Sequence, residues 1–150
     1  MKVMVLGGYG NFGARISRAL VGDDRIELLV GGRDGQRAAA FAGALPGRAR
    51  GVAVDMRSAG FAQALQTHQV GLLIHTAGPF QGQDYAVARA CAQAGVHYMD
   101  LADGRRFVCD FPRALHTAFI DTGRVAISGA STVPALSSAV AEKLCAGWPR

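Results

Sequence analysis

The sequence predicts an α/β domain: six parallel strands in one doubly wound sheet, order 3-2-1-4-5-6, with helices on both faces. Three observations predict it. Short apolar runs alternate with amphipathic or Ala-rich stretches along all 150 residues, the pattern of repeated strand–helix units. The first run, Val3-Met4-Val5-Leu6, is continuously apolar, as a strand buried on both faces must be. A glycine-rich turn, Gly7-Gly8-Tyr9-Gly10-Asn11-Phe12-Gly13, follows it directly and opens an amphipathic stretch. The length suits one domain, residues 1–150, with a core of its own.

Each element has a local reason. The first helix puts Phe12, Ile16, Ala19 and Leu20 at helical spacing. Residues 25–31 form the second strand. An Ala-rich helix over 35–44 closes at Leu45-Pro46-Gly47. Residues 51–55 form the third strand, and Ser58 is placed to cap a helix carrying Phe61, Ala62 and Leu65. The fourth strand is 71–75, and the next helix, over 83–94, is stopped by Gly95. The fifth strand is 96–100. Residues 105–122 read as mostly helical, broken at Pro112 and ended by Gly123. The sixth strand is 124–128. A last helix opens near Pro134 and runs to about Cys145, with Gly147-Trp148-Pro149-Arg150 ending it.

Composition excludes several classes. No apolar run approaches the roughly 20 residues that cross a bilayer. Met1-Lys2 enters the first strand directly and leaves no room for a signal peptide, so a cytoplasmic location is expected. Cys91, Cys109 and Cys145 are odd in number, widely spaced and without C-x-x-C, which excludes a zinc ribbon or a disulfide framework. The net charge of +5 comes from scattered arginines. Only Arg48/Arg50 and Arg105/Arg106 cluster, too sparsely for a nucleic-acid surface.

In such sheets ligands bind beyond the carboxyl ends of the strands, where strands 1 and 4 diverge. The glycine turn is the first candidate there. Gly8, Gly10 and Gly13 spell G-x-G-x-x-G: Gly8 for the tight turn, Gly10 for approach of a pyrophosphate, Gly13 for close packing of helix on strand. Gly7, Gly10 and Gly13 give a second register of the same meaning. Tyr9, Asn11 and Phe12 lie inside the turn and belong to the cofactor-binding set. The helix start offers amides and a positive dipole end to phosphates. The position between a strand and a helix favours a Rossmann-type dinucleotide site over a plain strand–turn–helix.

After strand 2 the chain reads Gly31-Gly32-Arg33-Asp34. An NAD-preferring domain ends this strand with a carboxylate for the ribose 2′-hydroxyl. Arg33 instead suits a 2′-phosphate, and Arg37 can assist. NADP is therefore the expected cofactor, with NAD the alternative should Asp34 turn inward. Asp55, after strand 3, either accepts from the adenine amine or fixes its own turn. Thr76, Ala77, Gly78 and Pro79, after strand 4, form a small-residue loop that lies against the cofactor. His75 reads as a satisfied buried histidine rather than a base. After strand 5, His97 and Asp100 fall three apart on a strand and point to opposite faces, which argues against a metal with Asp103. Ser131 and Thr132 cap the last helix or line the nicotinamide end; capping is the simpler reading. No catalytic residue is assigned. A short-chain dehydrogenase would need Tyr with Lys four positions later, and Tyr9, Tyr85 and Tyr98 are followed there by Gly13, Arg89 and Ala102.

The stretches GGYGNFG (7–13), GGRD (31–34), HTAGPFQGQDY (75–85), GVHYMDLADG (95–104) and SGASTVPALSSAV (128–140) together resemble the N-terminal NAD(P)-binding domain of the saccharopine dehydrogenase-like family. The resemblance implies an NAD(P)-dependent oxidoreductase acting on an amino-acid-derived C–N bond. It also implies a larger domain after the sixth strand that supplies most of the substrate site. The chain is then the N-terminal, cofactor-binding part of a longer two-domain enzyme. A non-catalytic NAD(P)-sensing or scaffold module is the alternative. The expected partners are the dinucleotide and, through a missing domain, a small-molecule substrate. Neither nucleic acid nor membrane is expected, and a homodimer is left open.

Overall fold

The computed structural model describes residues 1–147, the side chain of Pro134 apart; the expected close at Trp148, Pro149 and Arg150 lies outside them. The elements in order are β1 (Lys2–Leu6), α1 (Asn11–Leu20), β2 (Glu27–Gly32), α2 (Gly35–Gly43), β3 (Ala49–Ala53), α3 (Phe61–Thr67), β4 (Leu72–His75), α4 (Ala86–Ala94), β5 (His97–Asp100), α5 (Arg105–Asp121) and β6 (Ala126–Ile127). A wide helical turn (Thr132–Leu136) and α6 (Ser137–Leu144) follow. The strands form one sheet in the order β3-β2-β1-β4-β5-β6, and every neighbouring pair is parallel. The order reverses between β1 and β4, so their carboxyl ends diverge and leave a crevice.

Alternation along each strand builds two cores. Val3 and Val5 of β1 join Leu28, Val30 and Ile74, under Ala38 and Ala42 of α2 and Ile16 and Leu20 of α1. Met4 and Leu6 face the other way, with Leu29 and Leu73, onto α3, α4 and α5. Small side chains let these layers close tightly. A Cβ on Gly51 of β3 would lie 2.3 Å from the Ala39 nitrogen and 2.4 Å from the Ala38 carbonyl carbon, so α2 rests directly on the strand backbone.

The third strand lies two residues earlier than expected, at Ala49–Ala53, and four expectations for the helices change in detail. The helix expected to break at Pro112 runs through it as α5. A helical proline costs about 3 kcal/mol, but burial of an apolar side chain returns about 1.5–3 kcal/mol. Phe107, Phe111, Leu115 and Phe119, four apart on one face, are all buried and outweigh it. Ser58 does not cap α3; its hydroxyl accepts from the Gly60 N–H at 3.2 Å and closes a turn before the helix. The helix expected from residue 83 starts at Ala86, because Gln83 is engaged in the preceding loop. The final helical region kinks at Val133 (φ −123°, ψ 123°), held extended by the following Pro134.

The β6 edge of the sheet is short. β6 pairs over two residues only, and α6 buries none of its side chains. Val125, Ile127, Val133, Leu136, Val140 and Leu144 are all exposed. Among the described residues no helix is long and apolar enough to cross a membrane.

Gly51→Ala should lower the unfolding free energy by about 1–3 kcal/mol or more, because backbone cannot yield as a side chain can. Gly43→Ala, where an added Cβ meets nothing within 4 Å, should be neutral or stabilise by about 0.4–1 kcal/mol. Urea denaturation of the two variants checks this; equal midpoints would contradict the packing.

Candidate functional site

The glycine turn joins β1 to α1 at the head of the crevice. Its left-handed residue is Gly7, at φ +79°. Gly8, expected to make the turn, is required for a different reason: its Cβ would meet the Val5 carbonyl oxygen at 2.8 Å and the Val30 side chain at 3.1 Å. The Gly7 and Gly8 N–H groups both donate to the Gly31 carbonyl, at 2.8 and 3.2 Å, tying the ends of β1 and β2 together. Gly13 is hemmed in most closely, its Cβ position 2.1 Å from the Gly7 carbonyl oxygen and 2.7 Å from the Thr76 hydroxyl. Gly10 is exposed and serves as N-cap, and its carbonyl accepts from Ala14. The amides of Asn11, Phe12 and Gly13 have no carbonyl one turn earlier to meet, which leaves them for an anion.

Past β2, Arg33 and Asp34 diverge. Asp34 is the N-cap of α2, its carboxylate accepting from the Arg37 N–H at 3.0 Å. The carboxylate is thus turned to its own helix. Arg33 is exposed and lines the crevice with Gly32 and Tyr9, and no ion pair to it is found among the described residues. Past β3, Asp55 accepts from the Arg57 N–H at 3.0 Å, and Val54 and Met56 line the crevice on either side of it.

The loop after β4 is locked from below. Thr76 donates its hydroxyl to the Leu6 carbonyl at 2.8 Å and so binds the loop to β1. The Gly78–Pro79 peptide is cis. Gln83 donates its side-chain amide to the carbonyls of Ala77 (3.1 Å) and Pro79 (2.6 Å). Its oxygen meets His75 Nε2 at 3.3 Å, while His75 Nδ1 accepts from the Ala77 N–H at 3.3 Å. Those partners assign the Nε2–H tautomer. His75 is 1 % exposed, and burial holds its pKa below the usual 6.5, against weaker opposing effects of Gln83 and Asp100. It is a neutral structural histidine. Gln83 was not expected from the sequence; only its place in the stretch QGQDY, eight residues past His75, hints at it.

The ends of β5 and β6 are joined the same way. Asp100 is fully buried, and one carboxylate oxygen accepts from Ala102 N–H (3.0 Å), Gly129 N–H (2.8 Å) and the Ser128 hydroxyl (3.0 Å). His97 accepts from the Val125 N–H at 3.0 Å through Nδ1. Tyr98 stacks on Phe111 at 5.8 Å between ring centres. Ser131 meets the last helical region through its backbone: its carbonyl accepts from Ala135 at 3.1 Å.

These elements enclose two adjoining hollows. One, about 280 Å³, takes Gly7, Tyr9, Gly10, Arg33, Ala77 and Met56. The other, about 390 Å³, takes Asn11, Phe12, Pro79, Leu101, Asp103 and Ser131. Thr76 and Gly78 line both. Gly8 and Gly13 lie beneath and shape the turn, and Asp55 stands outside. Leu101, Asp103 and Met56 were not singled out as site residues; each simply follows a strand end. A hollow of about 630 Å³ between Tyr85, Arg105 and Arg113 lies beside α5 and contains no glycine-turn residue.

A crevice at the strand-order reversal, floored by glycine backbone and flanked by an unpaired cation, fits a dinucleotide and defines a Rossmann-type NAD(P)-binding domain. The family described as saccharopine dehydrogenase NADP binding domain matches residues 3–127, and the chain belongs to it. Among solved structures it is similar to apo saccharopine dehydrogenase (L-Glu forming) from Saccharomyces cerevisiae, with TM-score 0.75 and 18% identity over 97% of this chain and 30% of that one. It is similar also to GenD2 from gentamicin A biosynthesis in complex with NAD (TM-score 0.67, 22% identity, 98% and 39% covered). A third is biliverdin reductase from Synechocystis sp. PCC 6803 with biliverdin and NADP+ (TM-score 0.56, 23% identity, 85% and 37% covered). At these identities the likeness is one of fold. The chain spans about a third of the length of these proteins. No curated protein matches the sequence.

The buried neutral His75 couples stability to pH. Its folded pKa lies below 6.5, so the unfolded chain takes the proton first. Its contribution is complete above the unfolded value and is lost as pH falls through the window beneath it. Urea midpoints should drop on acidification from about pH 6.5. In His75→Asn that slope should flatten, from a lower starting stability; an unchanged slope would assign the acid sensitivity elsewhere.

Proposed function

We propose that this domain binds NADP(H) and presents the nicotinamide to a small-molecule substrate held by a second domain. The carrying observation is the divergence after β2. Arg33 has no ion pair among the described residues and lines the crevice, and the adjoining carboxylate, Asp34, is committed to capping α2. A 2′-phosphate is the group that such an arrangement favours over a bare ribose hydroxyl. The pyrophosphate lies against the Gly7–Gly13 turn, and the nicotinamide enters the hollow of Asn11, Phe12, Pro79, Leu101 and Ser131.

The bound nicotinamide supplies the hydride chemistry, and the chain supplies position. Thr76 and Gln83 hold the loop against the cofactor. The titratable groups near the floor already have structural partners: His75 meets Gln83 and Ala77, one oxygen of Asp100 meets the β6 loop, and the exposed Asp103 meets Gln81 at 2.9 Å. On this reading a second domain supplies the general acid or base for an amino-acid-derived C–N bond. The uncovered apolar face of β6 and α6 supports such a neighbour.

NADPH should raise the melting temperature of the chain and NADH should do so less. Arg33→Ala should weaken NADPH by roughly 10- to 100-fold, from about 1.5–3 kcal/mol of charge-assisted hydrogen bonding, and NADH by no more than a few fold. Calorimetry measures both. Equal losses would remove the 2′-phosphate assignment. Residues 1–150 alone should bind without turning over NADPH with 2-oxo acids and amines; turnover would dispense with the second domain.

A further inference from the structure

Tyr9 reaches from the glycine turn to the end of β2, and its ring occupies the space a side chain on Gly32 would need. A Cβ there would fall 2.4 Å from Tyr9 Cε1 and 2.6 Å from its hydroxyl oxygen. The hydroxyl accepts from the Asp34 N–H at 3.2 Å, which pins the ring in place. The Arg37 guanidinium lies over the ring, its central carbon 5.0 Å from the ring centre. The same helical turn takes the Asp34 carboxylate out of use through the Arg37 N–H. One aromatic side chain therefore contacts the strand end, the helix cap and a cation.

We infer that Tyr9 is the residue that sets the preference for NADP over NAD, a reading that rests on the dinucleotide site proposed above. It acts in two ways. Its ring fills the space beside the last position of β2, where a ribose 2′-hydroxyl would be recognised, so a carboxylate there would first have to displace the ring from Asp34 and Arg37. It also holds Arg37 on its face by cation–π attraction, so that Arg33 does not act alone. A single arginine can swing away into water. A second one, stacked and less free, keeps positive charge beside the 2′ position before the cofactor arrives. Tyr9 is thus a positioning residue, and its effect falls on the ratio of affinities rather than on binding as such.

The test compares NADPH and NADH affinities, by calorimetry on the full chain, for the unaltered protein, Tyr9→Ala, Tyr9→Phe and the double variant Tyr9→Ala/Gly32→Asp. Circular dichroism confirms that each is folded. In Tyr9→Ala the NADPH-to-NADH affinity ratio should fall by about tenfold, the size of one partly exposed cation–π contact together with a loosened cap. Tyr9→Phe keeps ring and stacking and should recover most of that ratio. The double variant, with space and a carboxylate at residue 32, should prefer NADH. Equal losses of both cofactors in Tyr9→Ala, or no recovery by Tyr9→Phe, would overturn the inference and leave Tyr9 a loop-shaping residue. An unaltered protein that binds neither dinucleotide would overturn the site itself, a result distinct from an unmoved ratio.

Discussion

The structure depends on how closely backbone meets backbone at the glycine turn. The Gly7 carbonyl oxygen lies where any side chain on Gly13 would stand, so α1 starts almost in contact with the end of β1. The carbonyl of Gly31 takes two N–H groups from the same turn, and Leu6 takes the Thr76 hydroxyl. Three strand ends thus converge on one loop of chain. That convergence draws β1, β2 and β4 to a common level and turns the first helix so that its unpaired amides face the crevice. A bulkier turn would push the helix away from the end of β1.

Around that point the polar groups divide into two sets. One set fastens loops: Gln83 and His75 beneath residues 77–79, and Asp100 beneath the start of the β6 loop. His75 and Asp100 are buried and Gln83 partly so; His75 is satisfied at both ring nitrogens, while Asp100 uses one carboxylate oxygen and its second finds no partner among the described residues. The other set is left to solvent at the crevice: Arg33, the early amides of α1, and the walls formed by Phe12 and Ser131. Rigid support below and open recognition above is the arrangement that a pre-organised ligand site needs. It also explains why histidine and aspartate, so often catalytic at strand ends, here hold the floor together.

Much of this was legible in the sequence because it is local. Strand and helix alternate with their own periodicities, which gave a parallel sheet with right-handed crossovers, and the glycine turn after the first strand pointed to the order. The spacing of Gly7, Gly8, Gly10 and Gly13 marked the turn, though not that Gly7 is the one that turns left-handed while Gly8 is held bare by Val5 and Val30. Pro112 misled for a comparable reason. A proline reads locally as a break, but four buried side chains on the same helix outweigh it, and their burial is a property of the packed domain. The termini of α3 and α4 shifted because Ser58 and Gln83 found partners in neighbouring turns.

The sequence by itself determined the class of fold, the position of the glycine turn and the basic residue that follows the second strand, since each is written in residues close together along the chain. Only the tertiary structure decided which groups remain free to act. Tyr9 meets Gly32 and Arg37, His75 meets Gln83, and Asp100 meets Gly129 across separations that no periodicity encodes. Whether a side chain binds a ligand or a neighbouring loop is settled by distance and burial, and those arise only when the sheet has closed.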